Sequence, residues 1–338
     1  MLNSKFTIAT LALALLAGSG QTAFAQDKTA VFAVENSFAS LDPYDTNVTL
    51  DLSVCKSFYQ GLYTFDKDLK VTPQLADSYE TAKAGLIYTF KLKKGIKFHD
   101  GTDFNAAAVK VVFDRVTNPE NKLKRYNLFS NIDSTTVIDD STVRITLKRP
   151  FSAFINQLAH PSAVMISPAA LLKYGKQIGM NPVGTGPFKF VEWKQPDYVK
   201  AVKNDKYWKP GLPKIDTLIW RPVTDSNTRT AMLQAGEAQF TAPLPTEQAE
   251  NLAKNPKLDV ISGPGIFAQY LSMNTMKKPF NDVRVRQAIN YAINKPALAK
   301  VVYSGFAVPA EGPVPLGVDF AVNVGRYDYN PAKARELL

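Results

Sequence analysis

Strand-like and helix-like patterns alternate along this sequence without a fixed period. Alternation of apolar and polar residues predicts strands at 29–34, 87–92, 142–147 and 217–222. Apolar residues at helical spacing predict helices at 50–62, 105–115, 168–174 and 225–235. Because the chain has no internal repeat and no long linker, this interleaving predicts an α/β fold with mixed sheets.

Glycine and proline mark the turns between these elements. A turn at Gly95 predicts that residues 96–98 return as a strand beside 87–92. The segment 182–188 contains two glycines and two prolines, and it leads into a strand-like run at 188–193. We therefore expect a hairpin at 87–98 and a sharp turn before residue 188.

The first 25 residues are typical of a secretory signal peptide. Lys5 precedes an apolar run at 6–17, and the segment ends in the small-residue pattern Ala23-Phe24-Ala25. The apolar run is too short to cross a bilayer core of about 30 Å, which argues against a membrane anchor. We therefore expect cleavage before Gln26 and export of the remaining chain.

Cys55 is the only cysteine. An intramolecular disulfide is therefore excluded, although an exported compartment would permit one. No cysteine lies beside the expected cleavage site, so we predict no lipid anchor at the new N-terminus. Cys55 lies in a helix-like pattern, where a lone cysteine is typical of a small buried apolar residue.

The composition indicates a globular protein and argues against a nucleic-acid partner. The 338 residues are 45% hydrophobic, and this length is typical of two domains. Forty basic residues against 30 acidic residues give a net charge of +10. This excess is spread thinly, since the densest basic stretch is the short run at 122–125.

The chain lacks the residue patterns that catalysis or metal binding requires. The two histidines, His99 and His160, are far apart and lack metal-ligand spacing. Gly184 and Gly186 are followed by Pro187 and lack the remainder of a phosphate-binding loop. We therefore predict no catalytic residue, no metal site and no cofactor, and we interpret the glycine pair as structural.

Six motifs occur in a fixed order after the leader. They are Leu-Asp-Pro at 41–43, Phe-Tyr-Gln-Gly-Leu at 58–62, Lys-Leu-Lys-Lys-Gly-Ile-Lys-Phe-His-Asp-Gly-Thr at 91–102, Pro-Val-Gly-Thr-Gly-Pro-Phe at 182–188, Leu-Gln-Ala-Gly-Glu-Ala at 233–238 and Pro-Phe-Asn-Asp-Val-Arg-Val-Arg-Gln-Ala at 279–288. Together they resemble the peptide/nickel family of extracellular solute-binding proteins, over essentially the whole mature chain. Ala108 departs from the family pattern, in which many members carry an acidic residue, and we expect it to alter only a local helix contact.

Further runs are similar to the glutathione-binding members of that family, at 103–110, 123–128, 150–156 and 159–161. The resemblance implies a two-lobed periplasmic binding protein of type II. Such a receptor traps glutathione or a related short peptide and delivers it to an inner-membrane ABC permease and its ATPase. It implies a monomeric periplasmic protein that performs no catalysis.

The resemblance also implies a division of the chain into signal peptide, lobe-one core, lobe-one accessory domain and the start of lobe two. These are respectively 1–25, 26–55 with 180–264, 56–179 and 265–338. Residues 330–338 are typical of a helix that is just starting, with Asn330 at its N-cap and Pro331 in its first turn. We therefore expect the chain to be truncated at its C-terminus, with the second lobe incomplete.

The family's cleft, carried over to matching positions, implies a set of ligand-binding residues. They are Asn47 and Thr49 in the loop after the Leu-Asp-Pro motif, Arg125 and Tyr126 after the 105–115 helix, His160 on the cleft wall, Arg221 near the hinge, Phe240 and Thr241 at a strand end, and Tyr270 and Ser272 in a crossover strand. Arg125 is the first candidate to hold a ligand carboxylate, because arginine binds carboxylates through a bidentate fork.

The residues are open to more than one interpretation. Arg125 is also consistent with the end of the basic surface run at 122–125, and Tyr126 with core packing. Arg221 is consistent with a structural ion pair at the hinge, and His160 with a packed loop residue. At the level of function, the competing hypotheses are a receptor for dipeptides or oligopeptides, haem or a nickel chelate, and an exported hydrolase.

Overall fold

The computed structural model describes residues 28–263, 265–316, 318 and 321–338. The predicted signal peptide, residues 1–25, lies outside that part of the chain. Among the described residues, no helix is both long enough and apolar enough to cross a membrane. The molecule has the predicted mixed α/β architecture with several sheets.

The strands and helices follow one another in an irregular alternation. The strands are β1 (Thr29–Val34), β2 (Tyr63–Phe65), β3 (Val71–Pro73), β4 (Ala76–Ala82), β5 (Ile87–Leu92), β6 (Ile132–Asp139), β7 (Thr142–Leu147), β8 (Phe188–Lys194), β9 (Tyr198–Lys203), β10 (Thr217–Pro222) and β11 (Phe240–Ala242). The α-helices are α1 (Thr49–Cys55), α2 (Ala106–Thr117), α3 (Tyr126–Phe129), α4 (Phe154–Leu158), α5 (Pro168–Tyr174), α6 (Ser226–Ala235), α7 (Thr246–Leu252), α8 (Val283–Ala292), α9 (Lys295–Val301) and α10 (Pro331–Leu337). Short 3-10 helices lie at Pro119–Asn121 and Gly175–Met180.

The central sheet has the strand order β11-β1-β10-β9-β8. β1 pairs in parallel with both β10 and β11, whereas β10, β9 and β8 pair in antiparallel fashion. The carboxyl ends of β1, β10 and β11 therefore share one edge of the sheet. In open α/β sheets this edge is where ligands bind.

A second, antiparallel sheet has the order β4-β5-β7-β6, and β2 pairs with β3 as a separate hairpin. The second sheet uses residues 76–147 alone, whereas the central sheet joins β1 to residues 188–242. One cluster of buried apolar side chains, including Phe58, Phe90 and Phe113, runs beneath both sheets. The predicted division of the chain into 26–55 with 180–264, 56–179 and 265–338 stays a prediction.

Several predicted elements are confirmed at their boundaries. β1, β5, β7 and β10 have the predicted limits. Asn105 and Asp225 cap α2 and α6, since their side chains accept hydrogen bonds from Ala108 N and Thr228 N. α6 ends at Gly236, whose φ of 77° suits a residue without a Cβ. Cys55 is buried as expected, and burial raises the pKa of its thiol well above the usual value.

Two predicted elements are wrong. The helix predicted at 50–62 ends at Cys55, because the chain then turns back and Gly61 pairs with Val164 in an antiparallel bridge. The return strand predicted at 96–98 is absent from this described stretch, where Lys97 forms only a single bridge with Asp103. β5 already pairs with β4 and β7, so neither of its edges is free for another strand.

The Gly184–Gly186 turn is structural, as predicted. Gly186 N donates to Phe58 O at 2.8 Å, which brings the two backbones into contact. A Cβ on Gly184 would lie 2.3 Å from Phe58 O, and one on Gly186 would lie 2.5 Å from Phe58 C. Both positions therefore exclude every residue larger than glycine.

His99 fastens the same turn from the other side. Its Nε2 donates to Gly186 O at 2.9 Å, and Gly184 N donates to its Nδ1 at 3.3 Å. The imidazole is thus neutral and uses both nitrogens. Burial lowers the pKa of His99 to about 4, and a proton on Nδ1 would face the Gly184 N–H.

We expect Gly186→Ala to lower the free energy of unfolding by at least about 2 kcal/mol, because a Cβ there overlaps the backbone at Phe58. Gly263→Ala is the control, since a Cβ at Gly263 meets no atom within 4 Å and its φ is ordinary. Urea unfolding of both variants measures the difference. Equal stability of the two variants would contradict the close approach.

We expect His99 to make the protein less stable in mild acid. The unfolded chain protonates its histidine near pH 6.5, whereas the folded protein resists protonation down to about pH 4. The contribution of neutral His99 to the free energy of unfolding is therefore fully present above pH 6.5. It is lost as the pH falls from 6.5 to 4, by about 1.4 kcal/mol per pH unit.

Urea unfolding at pH 7.5 and pH 5.0 tests this expectation. The wild-type protein should lose about 2 kcal/mol more between these pH values than His99→Gln does. His160→Gln is the matched control and should retain most of the wild-type loss. An identical pH dependence in the wild type and His99→Gln would refute the assignment.

Candidate binding site

The loop that connects β1 to α1 is organised by the buried carboxylate of Asp51. One carboxylate oxygen accepts from Ala39 N at 3.0 Å, and the other accepts from Ser40 N at 3.2 Å and Thr46 Oγ1 at 2.6 Å. Asp51 is fully buried, so these donors replace the water that a carboxylate requires. The carboxylate therefore sets the backbone path of residues 39–46.

A second carboxylate ties this loop to α2. Arg115 Nη2 donates to Asp42 Oδ2 at 2.6 Å, and Asp42 Oδ1 accepts from Tyr44 N at 3.0 Å. Tyr44 is buried, and its hydroxyl donates to Val164 O at 2.8 Å. Residues 42–44 are thus held by bonds to Arg115 on α2, to Val164 and within the loop itself.

The immobilised loop positions Arg125. Arg125 Nε donates to Thr46 O at 2.8 Å, and Arg125 N donates to Tyr44 O at 3.0 Å. The side chain is half-buried, and this burial lowers the pKa of the guanidinium. Among the described residues, no carboxylate forms an ion pair with it.

His160 lies within the electrostatic reach of Arg125. Its Nδ1 accepts from Ser162 N at 3.1 Å and lies 2.7 Å from Ser162 Oγ. Burial lowers the pKa of His160, and the positive charges of Arg125 and Lys56 lower it further. The ring is therefore neutral, and its proton is on Nε2.

The positive charges of Lys56 and Arg125 act on the neutral His160 ring, and we call these three residues the cationic cluster. Lys56 follows α1, Arg125 precedes α3 and His160 follows α4, so three separate segments supply it. Within the part of the chain that the structure describes, neither Lys56 nor Arg125 has an acidic partner. A guanidinium, an ammonium and an imidazole N–H suit a carboxylate-bearing ligand.

The structure brings part of the predicted site together. Arg125 bonds the residue before Asn47, and Thr49 begins α1 two residues later. Asn47 and Thr49 are exposed, and Tyr126 is half-buried beside Arg125 as the first residue of α3. Asn47, Thr49, Arg125 and Tyr126 therefore lie at or next to the end of the loop that Asp51 organises.

Arg221, Phe240 and Thr241 lie on the central sheet. Arg221 and Thr241 both register with Ala33, on one face, whereas Phe240 registers with Phe32 on the opposite face. The Phe240 and Phe32 ring centroids are 4.8 Å apart. Side chains of adjacent strand residues point to opposite faces, so Phe240 and Thr241 do not line a common surface of the sheet.

The prediction of a crossover strand that contains Tyr270 and Ser272 is wrong. Residues 265–274 have no strand assignment, and the Tyr270 side chain is 83% exposed. A strand needs a neighbour that pairs with its backbone groups, and no described segment pairs with this one. The role of Tyr270 and Ser272 in ligand binding stays a prediction.

Arg229 fastens the carboxyl edge of the central sheet. Its guanidinium donates to Val223 O at 2.8 Å and to Pro243 O at 3.4 Å, which joins the segments that leave β10 and β11. Arg229 is buried and was not among the predicted residues. It makes this edge a fixed platform.

Sequence reasoning also missed Lys56, Thr46 and Ser162. A single lysine after a short helix has no pattern that separates it from a solvated surface charge. Ser162 is placed two residues after His160, and this spacing is the only local signal of the bond between them.

A shallow cleft of about 400 Å³ adjoins Tyr126 in the sequence but is lined by none of the predicted residues. It is lined by residues of α3, α4 and their flanks: Asn127, Leu128, Ser130, Asn131, Arg149, Phe151, Ala153, Asn156 and Gln157. The described residues contain no cluster of three or more His, Cys, Asp or Glu side chains suited to a metal ion.

Comparison with known proteins identifies relatives over nearly the whole chain. Residues 70–338 match the family described as bacterial extracellular solute-binding proteins, family 5 Middle. The glutathione-binding protein GsiB of Pectobacterium atrosepticum is 61% identical over 311 residues, which are 92% of this chain and 60% of the relative. GsiB of Escherichia coli is 57% identical over the same share of this chain and 61% of its own. The chain thus spans about three fifths of the length of these relatives.

Solved structures show the same architecture. The periplasmic binding protein DppA from Helicobacter pylori, in complex with the peptide STSA, matches with a TM-score of 0.83 and 32% identity, over 91% of this chain and 65% of that one. NikZ from Campylobacter jejuni, in complex with Ni(L-His), matches with a TM-score of 0.78 and 29% identity, over 91% and 62% of the two chains. These neighbours have the type II periplasmic binding fold that the sequence predicted.

We expect Asp51→Asn to lower the free energy of unfolding by about 2 kcal/mol, because an amide NH₂ in place of one oxygen would face a donor N–H. Asp45→Asn is the control, since the described structure shows no side-chain hydrogen bond at Asp45. Chemical denaturation at pH 7 measures both effects. An Asp51→Asn variant as stable as Asp45→Asn would show that the loop does not depend on this carboxylate.

Proposed function

Because this chain belongs to family 5 of the bacterial extracellular solute-binding proteins, we propose that it is a periplasmic receptor for glutathione or a related short peptide. The receptor captures its ligand between two lobes and delivers it to an inner-membrane ABC permease and its ATPase. The ligand binds the closed state better than the open state and so shifts the equilibrium between them. No chemical step on the ligand is part of this proposal.

The observation that carries the proposal is the cationic cluster without an acidic partner. Glutathione has two carboxylates and one ammonium group. Arg125 keeps its Nη atoms free of hydrogen bonds within the described structure, while its Nε is bound to Thr46 O. The guanidinium is thus held in place with an edge available for a carboxylate, which reduces the entropy lost on binding.

The relatives support glutathione as the ligand. Both relatives at 57–61% identity are named glutathione-binding proteins. The DppA neighbour holds a peptide and the NikZ neighbour holds nickel with histidine, so a dipeptide, an oligopeptide and a metal chelate are the ligands to compare. Haem is a further ligand to compare, and an exported hydrolase is the competing function from a different class of protein.

Each proposed site residue has a distinct task. Arg125 holds a ligand carboxylate, His160 donates from Nε2, and Asn47 and Thr49 offer polar groups from the adjoining loop. Tyr126 presents an apolar ring with a polar tip to the ligand backbone.

The central sheet and the segment that follows it supply the remaining part of the proposed site. Arg221 on β10 and Thr241 on β11 contribute from one face of the central sheet, and Phe240 on β11 contributes from the opposite face. Tyr270 and Ser272 contribute from the exposed segment after them. In this proposal the ligand therefore contacts both a fixed platform and a segment free to adjust.

The proposed cellular context follows from the leader. Residues 1–25 direct export and are removed, and the absence of a cysteine at the expected cleavage site argues against a lipid anchor. We propose a monomer that diffuses in the periplasm between the ligand and the permease.

We expect Arg125→Ala to weaken glutathione binding by about 2–3 kcal/mol, because the carboxylate loses a partly buried partner. Lys124→Ala is the control, since Lys124 is the exposed neighbour in the same basic run. Isothermal titration calorimetry with glutathione measures both variants. An unchanged dissociation constant for Arg125→Ala would remove Arg125 from the site.

The same titrations with a dipeptide, haem and a nickel–histidine complex compare the competing ligands. Tighter binding of one of these than of glutathione would replace the proposed ligand. Turnover of glutathione at saturating protein would favour the exported hydrolase.

A further inference from the structure

The shallow cleft beside α3 and α4 is built from residues outside the proposed glutathione site. Its volume of about 400 Å³ lies in the range of small-molecule sites. Its lining includes none of Arg125, Tyr126 and His160. A ligand in this cleft would therefore be recognised by side chains other than those of the cationic cluster.

One wall of the cleft is formed where residues 130–131 meet residues 148–149. Asn131 Nδ2 donates to Arg149 O at 3.0 Å, and Lys148 N donates to Asn131 O at 2.8 Å. Lys148 Nζ donates to Ser130 O at 2.7 Å and joins the same two segments a third time. The guanidinium of Arg149 takes part in none of these bonds, so it remains available to a ligand on a fixed backbone.

The charge of the cleft has one sign. Among the described residues that line it, none is acidic, and Arg149 is positively charged. Arg149 is exposed, and none of the ion pairs of the described structure includes it. A free guanidinium binds a carboxylate through two parallel hydrogen bonds. The cleft is therefore suited to an anionic group.

Gln157 supplies a buried acceptor that lacks a donor. Its side chain lines the cleft and is only 8% exposed, and its Oε1 has no hydrogen-bond partner among the described residues. A buried amide oxygen without a donor lowers stability. The last torsion angle of a glutamine side chain is broad, so the amide can rotate toward a donor in the cleft. A ligand N–H would satisfy this oxygen.

Phe151 supplies an apolar surface in the same cleft. Its side chain is 40% exposed, whereas its backbone oxygen accepts from Phe154 N at 3.1 Å and from Tyr88 Oη at 3.4 Å. Leu128, which is half-buried, adds apolar area to the lining. An aromatic ring on a fixed backbone offers a flat surface on which an apolar group can pack.

We propose that this cleft is a second small-molecule site, which binds an N-acylated amino acid with an apolar side chain. The ligand carboxylate pairs with Arg149, its amide N–H donates to Gln157 Oε1, and its side chain packs on Phe151. An acylated nitrogen suits the cleft better than a free amine, because no acidic side chain lines the cleft to pair with an ammonium group. This inference goes beyond the proposed receptor function and does not depend on it.

N-acetyl-L-phenylalanine is the ligand for the first test, and saturation-transfer NMR with the mature protein measures its dissociation constant. We expect a value of about 1 mM or lower. N-acetyl-L-phenylalaninamide, which lacks the carboxylate, should bind at least about fivefold more weakly. Absence of N-acetyl-L-phenylalanine binding up to about 10 mM would overturn the inference.

Arg149→Gln tests the residue assigned to the carboxylate. The variant should weaken N-acetyl-L-phenylalanine binding at least about fivefold, as loss of the carboxylate does. Arg144→Gln is the matched control and should bind like the wild type, because Arg144 is an exposed arginine of β7 outside the cleft. Equal binding by Arg149→Gln and Arg144→Gln would contradict the proposal.

Gln157→Leu separates a ligand-binding role from a structural role. Leucine has a similar volume and no polar atom, so the variant should be at least as stable as the wild type in urea unfolding. Its affinity for N-acetyl-L-phenylalanine should fall at least about threefold, because the ligand N–H loses its acceptor. A glutamine with a purely structural role gives the opposite result, lower stability with unchanged affinity, and that result overturns the assignment.

Competition with glutathione tests whether the cleft is a separate site. We expect saturating glutathione to change the affinity for N-acetyl-L-phenylalanine by less than about twofold. Displacement of N-acetyl-L-phenylalanine by glutathione would make the cleft part of the receptor site, which overturns the inference and leaves the proposed function intact. If glutathione does not bind, the proposed function fails, and the titrations of Arg149→Gln and Gln157→Leu still decide the inference.

Discussion

The candidate site depends on one buried carboxylate. Asp51 accepts hydrogen bonds from two backbone N–H groups and from Thr46, and this fixes the course of the loop after β1. The carbonyl of Thr46 then holds Arg125. A carboxylate in the first helix thus orients a guanidinium 74 residues later in the sequence, through the hydroxyl and the carbonyl of Thr46. The buried carboxylate of Asp51 thus stabilises the loop that positions the guanidinium of Arg125.

The bonds of the buried acids also bear on the cationic cluster, in which neither Lys56 nor Arg125 has an acidic partner among the described residues. A minority of the described lysines and arginines form an ion pair with a carboxylate, as Lys110 does with Asp114 one helical turn away. Two acidic groups of this region, Asp42 and Asp51, are already occupied by Arg115 and by loop donors. They are satisfied inside the fold and offer no counter-ion to Arg125. Their burial therefore removes two carboxylates that could otherwise neutralise the cluster.

Local patterns predicted the parts of this fold that local physics decides. β1, β10 and the capped helix α6 follow from alternation, helical spacing and cap residues within a few positions of each other. The pattern at 50–62 continued past the true end of α1, because the bridge from Gly61 to Val164 involves a residue 103 positions away. That competition between helix and bridge leaves no trace in the local sequence.

The same distinction between local patterns and long-range contacts applies to the predicted site residues. The family resemblance placed Arg125 and His160, and the structure brings them within electrostatic reach of each other. Lys56 and Ser162 become candidates for the site only through their interaction with His160 in the fold, so no sequence pattern identifies them. Phe240 and Thr241 were predicted together as neighbours in the chain, whereas the pleat of a strand separates them onto opposite faces.

The position of β1 in the middle of the central sheet also governs the order of events during synthesis. Contacts at its two edges join residues 188 and 208 positions apart, from Lys28 to Asp216 and from Val31 to Gln239. The first strand to be made is therefore without either neighbour until roughly two hundred further residues have followed it. During that interval its backbone is open to pairing with the wrong strand. The central sheet is therefore complete only when β11, its last strand in the sequence, has been made.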